Sequence, residues 1–128
     1  MAENFIRSLV QYLRDRITTS TFYANSWPAG RAVPAVLVRE MGGERRFHGI
    51  RNYAVNILVE DDDPSDCRTR IYEIFDSLLD GKGITLPATV TGDSPIVAEV
   101  VDIPGLPSPL GESERGRFQW TFNMIARC

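Results

Sequence analysis

Within residues 53–79 an alternating apolar pattern gives way to a helical one, and this switch limits the possible folds more than any other feature. Tyr53, Val55, Ile57 and Val59 alternate with Ala54, Asn56 and Leu58, so a strand here has one strongly apolar face and one mixed face. Asp63-Pro64 follows. An aspartate can cap the free N–H groups of a helix start, and proline at the first helical position gives up an N–H that has no partner anyway. Cys67, Ile71, Ile74, Phe75 and Leu78 then recur at helical spacing, with Asp66, Arg70, Glu73 and Asp80 outside, and Gly81 supplies a left-handed stop. A strand with one apolar face, followed at once by a helix with one apolar stripe, predicts a layer of helix on sheet.

The flanking segments extend this layer. Across residues 3–17, Phe5, Ile6, Leu9, Tyr12, Leu13 and Ile17 form a second helical stripe, ended by the hydroxyl-rich run Thr18-Thr19-Ser20-Thr21. Residues 18–34, with Phe22, Tyr23, Trp27, Pro28, Gly30 and Pro34, read as an irregular or edge-strand connection carrying aromatics. Ala35 to Arg39 reads as a short strand, Gly42-Gly43 as a hairpin turn, and residues 48–60 as the partner strand. Further strands are predicted over 96–103, with a short one before it at 88–91, and over 117–127. In the last, Phe118, Trp120, Phe122, Met124 and Ala126 share a face. Residues 104–116, rich in proline and glycine, read as a long loop. The expected architecture is therefore α+β, in two layers: a mainly antiparallel sheet with two amphipathic helices on one face, in the order α-β-β-α-β-β. At 128 residues the chain fits one domain, large enough to bury about two-thirds of its unfolded surface.

Few function classes find support in the residues. Fourteen Lys and Arg against seventeen Asp and Glu leave a net charge of −3, too small a bias to name nucleic acid or an anionic membrane as partner. Residues 1–5 lack a basic export leader, and no apolar run approaches the roughly 20 residues of a membrane span. Cys67 and Cys128 make neither a disulfide framework nor a metal spacing, which predicts a reducing cytoplasmic setting. His48 is the sole histidine, and no nucleophile elbow accompanies it, so no catalytic residue is assigned. The acidic run Asp61-Asp62-Asp63 with Asp66 fails as a calcium loop, since Asp66 stands where glycine belongs and Tyr72 where glutamate belongs. These carboxylates read instead as helix caps. Gly81-Lys82-Gly83 follows a helix rather than a strand, so it is not a phosphate loop. No metal or cofactor site is expected. Arg39, Arg45, Arg46 and Arg51 make the hairpin the most basic stretch, which reads as a solvated or subunit-contacting tip.

In its order of elements the chain resembles the tail terminator proteins of long-tailed bacteriophages, also called tail completion or minor capsid proteins. The likeness rests on the helix Phe5 to Leu13, the glycines 42 and 43, and the strand Tyr53 to Val59 leading into Asp61-Asp62-Asp63-Pro64. The helix from Cys67 to Leu79 and the closing strand Phe118-Gln119-Trp120-Thr121-Phe122 complete it. The resemblance implies a structural virion protein at the tail-neck junction, without enzyme activity. It would form a homo-oligomeric ring, typically hexameric, that caps the tail tube, stops its polymerisation and offers the surface for head or neck attachment. Implied partners are the tail tube protein and a neck or head-completion protein, with no membrane, and no nucleic acid beyond DNA passing through the ring. Trp27, Arg45, Arg46, Leu106 and Leu110 are the expected subunit or tube contacts. Another neck adaptor is the nearest alternative reading, and a small nucleic-acid-binding domain a more distant one.

Overall fold

The computed structural model describes residues 2–45, 51–79, 83–89, 95–113 and 116–127. Its elements are α1 (Ala2–Arg16), β1 (Thr21–Ala24), β2 (Ala35–Arg45), β3 (Arg51–Asp61) and α2 (Pro64–Leu79), then β4 (Ile84–Leu86), β5 (Ile96–Asp102), β6 (Ser108–Glu112) and β7 (Phe118–Arg127). The strands form one curled mixed sheet, ordered β1-β2-β3-β7-β5-β4, with β6 also beside β7. The architecture is α+β, as expected, but three short strands lie outside the anticipated order or place.

The core lies between the helices and one sheet face. Every residue of the two helical stripes is buried, and beneath them lie Val36 and Val38 of β2, the alternating set Tyr53 to Val59 of β3, and Phe122, Met124 and Ala126 of β7. Phe5 of α1 stacks on Tyr53 with ring centroids 4.5 Å apart, and Phe75 of α2 meets Phe122 edge-on at 5.4 Å. Asp63 caps α2 as its sequence position suggests: its carboxylate accepts the Asp66 N–H at 3.0 Å, and its carbonyl accepts the Cys67 N–H at 2.9 Å. The Cys67 thiol is turned toward the carbonyls of Val59 and Phe118. Burial, and then the neighbouring Asp61 carboxylate, push its pKa up to about 12, so it packs as a small apolar group and is a poor nucleophile.

Three expectations are corrected. Gly42-Gly43 does not turn the hairpin, because β2 goes on pairing with β3 beyond it as far as Arg45–Arg51. The glycines serve a β-bulge instead: pairing steps from Glu40–Val55 to Gly43–Tyr53, and Gly42 takes φ 111°, which a side chain would disfavour. The connection between the two strands falls in 46–50, outside the described residues, as do Arg46 and His48. Among the described residues the short strand before β5 is Ile84–Leu86. Of the expected 88–91, residues 88 and 89 are outside any strand and 90–91 lie outside the described residues, and Pro87, which cannot donate to a ladder, directly follows Leu86. Finally, the 104–116 segment is not all loop, since Ser108–Glu112 pairs antiparallel with β7. The sheet is also not wholly antiparallel. Within the connection expected to be irregular or an edge strand, Thr21–Ala24 runs parallel to β2.

Ile57 on the central strand and Ile71 on α2 have no exposed surface. Truncating either to alanine is expected to cost about 2–5 kcal/mol of unfolding free energy, and Asp63→Ala about 1 kcal/mol through loss of the cap. Urea unfolding followed by circular dichroism would measure both.

Candidate functional site

The sheet face turned away from the helices combines unusual chemistry with unusual burial. Alternation places Asn56, Leu58 and Glu60 of β3 there, with Leu37 and Arg39 of β2 and Gln119 and Thr121 of β7. In a two-layer fold this face meets water, yet Leu37, Asn56, Leu58 and Glu60 are all buried. The cover comes from the two nonhelical connections. One supplies Trp27 and Arg31 from the segment between β1 and β2, and the other Ser113 and Arg117 from the approach to β7.

Glu60 holds this cover in place. Its carboxylate is 0% exposed. Arg31 donates through Nε at 3.1 Å to one oxygen and through Nη2 at 2.9 Å to the other, a two-pronged ion pair. Arg117 adds a contact at 3.3 Å and the Gln119 amide one at 2.9 Å. Burial alone would raise the carboxyl pKa, but the hydrogen bonds from Arg31, Gln119 and Arg117, with the charge of Arg31, bring it below its ordinary value of 4.5. Arg31 is itself held, donating to the Pro28 carbonyl at 3.1 Å and lying flat on Trp27 at 3.7 Å from the ring centre. Arg117 also donates to the Arg31 carbonyl at 3.0 Å.

Beside this cluster lies an open groove of about 330 Å³, with Leu37 and Leu58 in its wall and Arg39 at its side. Arg39 donates Nε to the Asn56 side-chain oxygen at 2.8 Å. The Asn56 amide nitrogen donates in turn to Thr121 Oγ1, Asn123 Oδ1 and the Phe122 carbonyl. A second groove, of about 320 Å³, runs between the start of α2 and the β6–β7 pair, and its wall includes Pro109, Phe118 and Trp120.

The expected contact residues do not converge. Trp27 is half-buried and its ring is occupied by its own Arg31, so it anchors a connection in place. Arg45 ends β2, and Arg46 lies outside the described residues. Leu106 and Leu110 are 72% and 55% exposed, and all five residues of β6 face solvent. Arg31, Glu60 and Arg117, the centre of the buried cluster, carry no sequence signal beyond their charge. Only a carboxylate on the mixed face of the best-defined strand hinted at one. Of the acidic run, Asp63 caps α2, and among the described residues no three His, Cys, Asp or Glu side chains gather as a metal site. Among the same residues no helix is long and apolar enough to cross a membrane. Gly81, Lys82 and Cys128 lie outside the described residues.

No protein-family model matches the sequence, and no curated protein matches it as a relative.

The Glu60 carboxylate titrates lower in the folded chain than in the unfolded one, so its contribution to stability is complete above about pH 4.5 and is lost as pH falls through its folded value. Glu60→Ala leaves two guanidinium groups facing an empty site and is expected to cost about 3 kcal/mol at pH 7. The gap between wild type and this variant in urea unfolding should narrow below pH 4.5; a gap constant from pH 7 to pH 3 would contradict the assignment.

Proposed function

We propose that the chain is a tail terminator of the long-tailed phage type: a structural subunit of a ring that caps the tail tube, stops its growth and receives the head or neck. The supporting observation is β6. It is a fully exposed strand at one border of the sheet, with Leu110 in it and Leu106 just before it, both large apolar residues open to solvent. Apolar side chains displayed on a border strand lose water favourably when a second protein covers them. A head-to-tail ring needs two different patches on each subunit, and across the sheet β2 displays another exposed apolar residue, Met41, at 58%. The cover over the Glu60 face, built from Trp27, Arg31 and Arg117, is tied to the sheet through the Glu60 carboxylate.

In this reading the protein works by shape and contact. Its place is the virion, at the junction of tail and neck, and its partners are further copies of itself, the tail tube protein and a neck protein. Size-exclusion chromatography with light scattering, alone and with tail tubes, is expected to give a species of about six subunits that binds tube ends. Replacing both Leu106 and Leu110 with lysine should abolish it while leaving the circular dichroism spectrum unchanged. A wild-type protein that stays monomeric and ignores tube ends would overturn the reading. Binding to the head-side ring instead of the tube would make it a neck adaptor.

A further inference from the structure

The groove beside the Glu60 cluster contains a charge that the fold leaves unanswered. Three guanidinium groups gather around this face, those of Arg31, Arg39 and Arg117, against one buried carboxylate. Glu60 is used up, since its two oxygens take four donated hydrogen bonds from Arg31, Arg117 and Gln119. Arg31 is used up as well, between Glu60, the Pro28 carbonyl and the Trp27 ring. Arg117 is divided among Glu60, the Arg31 carbonyl and Asp62. Arg39 differs. Among the described residues its one hydrogen bond goes from Nε to the neutral Asn56 side chain, which leaves both terminal nitrogens of a half-buried guanidinium without an anion.

A guanidinium whose Nε is anchored presents its two terminal nitrogens as a fork, the shape that matches a single carboxylate. The apolar walls, Leu37 and Leu58, lower the local dielectric and strengthen such a pair. A run of nucleic-acid phosphates would need several free cations along a track, whereas among the described residues lining this groove one is free. The same chain carries a complementary surface. Asp62 is 73% exposed, and Asp63 and Asp66 are exposed beside it at the start of α2. The chain cannot satisfy Arg39 with its own corner, because Asn56, the cross-strand partner of Arg39, and Asp62 are about 20 Å apart at roughly 3.3 Å per residue. Two complementary patches that cannot meet within one subunit suit a head-to-tail contact between subunits.

We propose that the Arg39 groove is a carboxylate-binding contact, filled in the assembled ring by the acidic corner, Asp62 and Asp66, of the next copy of this chain. The inference rests on the ring reading above and specifies one of its interfaces. Arg39→Glu and, separately, Asp62→Arg with Asp66→Arg are each expected to raise the concentration needed for assembly by about tenfold or more, measured by analytical ultracentrifugation. All three changes in one chain restore opposite charges across the contact and should recover assembly. Arg39→Gln, which keeps a side-chain donor for Asn56 and removes the charge, should weaken assembly with an unchanged near-ultraviolet circular dichroism spectrum, and so separates lost contact from lost folding. Assembly of Arg39→Glu and Arg39→Gln at wild-type concentration would overturn the contact and leave the ring standing, as would failure of the triple variant to recover. A wild type that never assembles would overturn both. Loss of salt-sensitive DNA binding in Arg39→Gln, with assembly intact, would assign the groove to phosphate and overturn the carboxylate.

Discussion

A carboxylate buried at the end of the central strand organises everything in this protein that is not helix on sheet. Taking Glu60 out of water costs several kcal/mol unless its charge is matched and its oxygens are hydrogen-bonded. The match comes from two places far apart in sequence: Arg31 in the connection between β1 and β2, and the neighbours Arg117, just before β7, and Gln119, within it. Because the cost is recovered only when all of them arrive, two connections that lack helical or strand patterning are drawn to one spot. Trp27 is positioned by the same tie, through the guanidinium that lies on its ring.

The two faces of the sheet are therefore built on different physics. Toward the helices, burial of apolar area supplies the stability and tolerates repacking within limits of volume. Away from them, a polar network of fixed geometry holds a thin cover, and specificity comes from donors and acceptors that must all be satisfied. Most of the apolar burial is on the first face, and the Glu60 network adds its share from the second. The second leaves a charged groove and an exposed border strand open, the surfaces on which the proposed ring would depend.

Legibility in the sequence followed the range of each interaction. The stripe Cys67, Ile71, Ile74, Phe75 and Leu78 and the cap Asp63-Pro64 could be read residue by residue, since helix burial and capping depend on neighbours within a few positions. At Gly42 the need for positive φ was legible but its use was not. A bulge and a turn demand the same residue, and the choice depends on how far pairing continues toward Arg45 and Arg51. In β6, Pro109 and Gly111 argue against a strand by composition, and only the template offered by β7 overrides them. Thr21–Ala24 likewise becomes a strand through a parallel partner ten or more residues away.

By itself the sequence determined the helices, the long strands β3 and β7, which of their faces are apolar, and so the α+β layering, because these follow from periodicity and local hydrogen bonding. The tertiary structure decided which strands adjoin, that a nominally outward glutamate would be the most enclosed charge described, and that Arg39 would be left, among the described residues, with a fork and no anion. Those outcomes depend on groups tens of residues apart reaching the same few ångströms, and neither spacing nor composition records that distance.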